Sequence, residues 1–453
     1  MEETKNLSNR YLVGLNDRPA NIQPATNKNY RELPFDGKGT LNVLKDFEKN
    51  YYQELTASSG PRSFGYVVGG ATPASIVGDW LTSVFDQDNG EGITVQLEDE
   101  TIAMARELFG LSQDFFGSFV SGATMSNFVG LASARQWVAQ NENIDIAETG
   151  LYKLNKIKVF SASPHSSIYK SLSMLGMGRN SLIKVNSEEN SEAIDIKDLE
   201  RKLAKNTSLS NIVVANAGTV NSTSFDDFKK IVELKSKYNF WLHIDGAFGL
   251  FANCSTKFSH LLDGVNNADS IVVDAHKWLN VPYDSAIHFT KHPQLQRNVF
   301  QNSNATYLSD FVGMTDYMNR TPETSRRLRA LPVWFTLLAY GKSGYQEIVE
   351  RNCEMASYLG KKVKESDNFS LLSPVNFNVV CFTINGFEKS KEKIDSFLSK
   401  LTENGEVFMT STQYQNKNGI RAALCNWRTE KKDMEIVWNV LKKTIDKLPV
   451  PNN

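Results

Sequence analysis

Short, largely apolar runs alternating with helical periods constrain this 453-residue chain more than any other feature. From Pro73 onward such runs fall at 156–162, 211–215, 240–244, 270–273 and 286–290. A strand that is apolar throughout must be covered on both faces, and strands separated by helices join in parallel. We therefore expect an α/β protein with a large mixed or parallel sheet. In such sheets ligands collect beyond the carboxyl ends of the strands.

The flanks differ from this middle. Residues up to about Gly70 are polar with scattered aromatics (Tyr11, Tyr30, Tyr51, Tyr52) and a helical pattern over 39–55, which reads as an arm rather than a self-sufficient core. A third region begins near Pro332, with strands expected over 379–384 and 420–425. It closes in a helix over about 430–448, whose Met434, Val437, Val440, Leu441, Ile445 and Leu448 recur at helical spacing, with Thr429 as the expected cap. The division is an N-terminal helical arm at 1–72, a large domain at 73–331 and a small C-terminal α/β domain at 332–453.

Lys plus Arg is 50 against Asp plus Glu 51, so the net charge of −1 gives no field to gather nucleic acid or an anionic membrane. No stretch approaches the ~20 apolar residues of a membrane span, and a cytoplasmic protein acting on small molecules is expected. Cys254, Cys353, Cys381 and Cys425 lie far apart without C-x-x-C spacing, which suggests reduced thiols and no zinc site. The run Asp86 to Gly90 imitates a calcium loop, but its glycine comes one position early and Leu97 stands where the bidentate glutamate belongs. Neither G-x-x-x-x-G-K-[ST] nor H-E-x-x-H occurs, and no metal is expected.

The chemistry concentrates at strand ends. Lys277, in Asp274, Ala275, His276, Lys277, Trp278, follows the apolar run 270–273. Burying an ammonium is costly unless its pKa falls or it reacts, so a Schiff-base lysine explains Lys277 better than a solvated charge does. The strand 240–244 ends at Asp245, a carboxylate suited to a protonated pyridine nitrogen. We expect Asp245 and His243 on opposite faces of that strand, which would keep them from sharing a metal. Ser121, Gly122, Ala123, Thr124 opens a helix expected to run to Arg135, where free N–H groups and the dipole can hold a phosphate. His165 follows the strand ending near Ala162 and taken singly reads as a surface or hydrogen-bonded histidine; a place for it on a ring, opposite Ala247, rests on family resemblance. Asp274 and the turn Gly218, Thr219 are weaker contributors. Together these segments suggest pyridoxal phosphate.

In this order the residues resemble the group II pyridoxal-phosphate-dependent decarboxylases, the aromatic amino acid and glutamate decarboxylases. The matching runs are SGATMSNFVGLASAR from Ser121, HSSIYK from His165, NAGTVNSTSFD from Asn216, HIDGAFG from His243, DAHKWLNVPYD from Asp274 and NWRT from Asn426. The resemblance implies an aspartate-aminotransferase-like fold, that of fold type I pyridoxal-phosphate enzymes. It also implies a homodimer with an N-terminal segment wrapped over the partner and active sites at the subunit interface. By position Lys277 resembles the Schiff-base lysine, Asp245 the pyridinium partner, His165 the stacking histidine, Ala123 and Thr124 phosphate-site residues, and His276 the histidine adjoining the lysine.

Thr306, Tyr307, Leu308 resembles the start of the family's mobile loop, whose tyrosine protonates the reacting carbon. Only a few residues separate it from Phe311 to Asp316, so the loop is shorter than in the aromatic enzymes, whereas the run Arg326, Arg327, Leu328, Arg329 matches. The hydroxyl of Tyr307 favours simple decarboxylation, since members that form aldehydes tend to have phenylalanine there. The implied activity is decarboxylation of an L-amino acid to its amine and carbon dioxide, with a decarboxylation-dependent aldehyde synthase or another amino-acid transformation as the alternative. The segments equivalent to the substrate pocket, 66–69 and 86–90, are more polar than in the aromatic enzymes, so an aromatic substrate competes with small polar or cationic ones.

Overall fold

The computed structural model describes residues 1–22, 32–85, 92–206, 210–302 and 317–448. Its strands are β1 (Phe116–Val120), β2 (Lys158–Ser161), β3 (Leu182–Lys184), β4 (Asn211–Asn216), β5 (Phe240–Asp245), β6 (Ser270–Asp274), β7 (Ala286–Thr290), β8 (Phe369–Leu371), β9 (Val379–Ile384), β10 (Thr410–Tyr414) and β11 (Lys417–Ala423). Among the described residues β1 to β7 form one sheet in the order β1-β7-β6-β5-β4-β2-β3. The strands β3, β2, β4, β5 and β6 pair in parallel, and β7 runs antiparallel to both β6 and β1, so the sheet is mixed.

Every residue of β4, β5, β6 and β7 is buried, as expected of strands covered on both faces. The period-two alternation divides them between two cores. Val213, Leu242 and Ile271 face the layer that includes Phe228, Ile231 and Leu199. Ile212, Val214 and Trp241 face the layer built from helices Ala123–Asn141 and Ser166–Met174. The first of these helices runs on past Arg135 to Asn141 and is buried on nearly all sides, which its small residues Gly130, Ala132, Ser133 and Ala134 permit.

The small domain is an antiparallel sheet in the order β10-β11-β9-β8, packed on helices Lys391–Asn404 and Lys431–Asp446. The closing helix is capped by Glu430 in a reciprocal box with Asp433. Thr429, the expected cap, instead donates its hydroxyl to Pro61 O at 2.8 Å. Helix Ala330–Lys364 links the two cores: Ala330, Val333 and Leu337 fill the large one, and Met355, Leu359 and Val363 the small one. It breaks at Gly341, whose φ of +58° suits glycine. Phe64 also enters the small core, where its N–H bonds Phe408 O at 2.8 Å.

Candidate active site

The carboxyl ends of β4, β5 and β6 lie level in the sheet, Asn216 beside Asp245 and Asp245 beside Val272, and the helix opened by Gly122 starts at the same edge. A cavity of about 340 Å³ lies there, within the range of small-ligand sites. Ala123, Thr124, His165, Thr219, Asp245, Ala247, Asp274, His276 and Lys277, nine of the expected site residues, all line it. The tenth, Tyr307, lies outside the described residues, as do Asp86 to Gly90.

Asp245, 7 % exposed, accepts hydrogen bonds from Asn127 Nδ2 at 3.0 Å and from the N–H of Ala247 at 3.2 Å. His243 and Asp245 share a face of β5, contrary to expectation, since residues two apart on a strand point the same way. Both contact Asn127, His243 through Nε2 at 2.8 Å. Among the described residues no cluster of three or more His, Cys, Asp or Glu is disposed to hold a metal ion.

Lys277 Nζ lies 3.0 Å from Asp274 Oδ2 and over the ring of Phe248, 5.6 Å from its centroid. The other oxygen of Asp274 accepts the N–H of Ala123 at 2.6 Å, so one carboxylate ties the lysine to the helix start. Gly69 closes the backbone around it: its N–H bonds His276 O at 3.3 Å, and a Cβ there would come within 1.8 Å of Lys277 O. His276 Nδ1 accepts the N–H of Ser285 at 3.3 Å, and its ring lies 4.5 Å from that of Tyr283. Burial holds both His276 and His165 below the usual imidazole pKa. His165 also caps helix Ser166–Met174 by accepting the N–H of Ser167 on Nδ1. Thr219 spends its hydroxyl within its own turn, accepting the N–H of Ser224 at 3.0 Å.

The residues fit pyridoxal phosphate. The cavity pairs a near-buried carboxylate with an amine, and the side chain of Asn216 also lines it. At the helix start Ala123 N is used by Asp274 and Ser126 N by Gly122 O, leaving the first-turn N–H groups of Thr124 and Met125 for an anion. A Cβ on Gly122 would already touch His276 Cε1 at 3.4 Å.

Arg421 was not anticipated. It reaches the cavity from β11, 7 % exposed, with Nη1 donating to Val220 O at 3.1 Å, and burial lowers its pKa. A single charge inside the apolar run 420–425 was the available signal. Tyr283, also on the lining, stands within the DAHKWLNVPYD run.

Residues 19–385 match the family described as "Pyridoxal-dependent decarboxylase conserved domain". Similar proteins include an aromatic-L-amino-acid decarboxylase of Bacillus atrophaeus, 26 % identical over 94 % of this chain and 89 % of that one. A phenylacetaldehyde synthase of Petunia hybrida is 24 % identical over 90 % and 85 %. Among solved structures, that of Oryza sativa TDC with PLP and tryptamine superposes with a TM-score of 0.89 at 20 % identity, covering 98 % of this chain and 96 % of that one. That likeness shows the fold, which is of the fold type I α/β class with a small antiparallel-sheet domain. The chain belongs to the pyridoxal-dependent decarboxylase family, and its cofactor is pyridoxal phosphate.

Proposed function

We propose that the chain decarboxylates an aromatic L-amino acid to the corresponding amine, with Lys277, His165 and Tyr307 as its catalytic residues. The observation that carries this reading is the convergence of Lys277, Asp245 and His165 on one cavity beside a helix start. The aromatic preference draws on the named relatives and on the apolar lining from Val67, Val68 and Phe248.

Bound pyridoxal phosphate supplies an electron sink for the pair left behind when carbon dioxide departs. Lys277 Nζ is the amine that would hold the cofactor at its aldehyde carbon. Asp245, which accepts from two N–H donors, would hold a proton at the ring nitrogen. His165 and Ala247, both on the cavity wall, would cover the cofactor ring. Thr124 and Met125 would hold the phosphate through their N–H groups, with Ala123, Thr219, Asp274 and His276 shaping its surroundings. Arg421 meets the substrate carboxylate, and its burial strengthens that attraction. Tyr307 returns the proton to the substrate carbon.

The same reading includes a homodimer with active sites at the interface and the N-terminal segment laid over the partner. The apolar stripe Val77, Trp80, Val84 on helix Pro73–Phe85, each residue more than 40 % exposed, supports it. It also places the enzyme in the cytoplasm, a reducing compartment that suits four free cysteines. Among the described residues no helix is long and apolar enough to cross a membrane.

A second reading, oxidative formation of an aldehyde, is favoured by the Petunia hybrida relative. A panel of amino acids scored for carbon dioxide, amine and oxygen uptake decides. Stoichiometric amine and carbon dioxide without oxygen uptake supports decarboxylation. Aldehyde, ammonia and peroxide in its place contradict it.

A further inference from the structure

We infer that Asn127 is a positioning residue whose two amide hydrogens hold Asp245 in place and, through Ser167, set the tautomer of His165. We infer further that Trp241, Ser270 and His243 lock that amide in place. An ionised carboxylate only accepts hydrogen bonds, so the NH2 of Asn127 faces Asp245 Oδ2 at 3.0 Å and its carbonyl faces His243. The second amide hydrogen goes to Ser167 Oγ at 3.0 Å. The hydroxyl of Ser167 then donates to His165 Nδ1 at 2.7 Å, where the N–H of Ser167 also arrives at 3.3 Å. His165 Nδ1 is therefore bare, and the neutral ring carries its proton on Nε2.

The lock follows by the same reasoning. Asn127 Oδ1 can only accept, so His243 Nε2, 2.8 Å away, bears a hydrogen. His243 is fully buried, which keeps it neutral, and its bare Nδ1 takes the hydroxyl hydrogen of Ser270 at 2.7 Å. Ser270 Oγ in turn accepts Trp241 Nε1–H at 2.9 Å. Every bond in the chain points one way, from the indole to the carboxylate. Turning the amide over would set a carbonyl against Asp245 and an NH2 against an N–H, two repulsions in a buried site where unmet groups are costly. Gly130 permits the arrangement, since a Cβ there would lie 2.5 Å from His243 Cε1.

The tautomers are read directly by nitrogen-15 spectroscopy of histidine-labelled protein without cofactor at neutral pH, with the six histidines assigned by single substitutions. His165 and His243 both protonated on Nε2 is the expected result; a proton on Nδ1 of either overturns the inference. This measurement fails or succeeds independently of the assignment of Asp245 to the ring nitrogen, on which the second arm rests. In that arm His243→Leu raises the dissociation constant for pyridoxal phosphate about tenfold, and His243→Gln, whose amide nitrogen replaces Nε2, restores it to within about threefold of the parent. A leucine variant that binds like the parent, or a glutamine variant as weak as leucine, contradicts the lock.

Discussion

Asp274 and Lys277 meet at 3.0 Å across three residues of chain, and the same carboxylate holds the first N–H of the helix that begins at Ala123. The amine and the start of that helix are thereby fixed relative to each other through one side chain.

Asp274→Asn removes the charge that both partners use. Hydrogen bonds to charged groups are worth roughly 10- to 100-fold in affinity, so the variant is expected to lose pyridoxal phosphate on dialysis that the parent retains. Retention equal to the parent would remove Asp274 from the site.

Gly69→Ala drives a methyl group into the carbonyl of Lys277, 1.8 Å from the required Cβ position. Backbone must shift to admit it, at a cost of about 1 to 3 kcal/mol. Urea denaturation is expected to show that loss, with a weakened cofactor absorbance in the folded variant.

Arg421→Gln keeps the shape of the cavity and removes its buried cation. If Arg421 meets the substrate carboxylate, KM rises on the order of tenfold or more while the cofactor spectrum is unchanged. Steady-state kinetics with spectra of the resting enzyme separate this from a loss of cofactor.

His288 lies fully buried on β7 with neither ring nitrogen bonded, and burial pushes its pKa down to about 3. The folded chain therefore binds no proton there until the pH nears that value, whereas the unfolded chain binds one below about 6.5. Stability is lost as the pH falls through 6.5, on the order of 2 to 3 kcal/mol by pH 4.5 from this residue. His288→Phe should reduce the difference between denaturation free energies at pH 7 and 4.5 by that amount; an unchanged difference would contradict it.

Much of this was legible because chemistry and periodicity coincide in the chain. Strands β4 to β7 lie in largely apolar runs, Asp245 ends β5 and Lys277 follows β6, so pattern and candidate site coincided. Strands with mixed surroundings escaped notice. Strand β10 reads Thr-Ser-Thr-Gln-Tyr, partly exposed, and β3 is three residues long. Arg421 and Asn127 were missed for another reason: each acts across a long sequence separation, Arg421 from the small domain and Asn127 from a helix interior, and spacing carries no trace of such contacts. The face shared by His243 and Asp245 was open to inference, since a strand's period is two.

The central claim is that the amine of Lys277 carries the cofactor. Borohydride reduction of the loaded protein followed by peptide mass analysis tests it most directly. A pyridoxyl phosphate mass on the peptide containing Lys277, lost in Lys277→Ala along with the visible absorbance, is the predicted result. The same adduct on another lysine, or an unchanged spectrum in Lys277→Ala, would contradict the account.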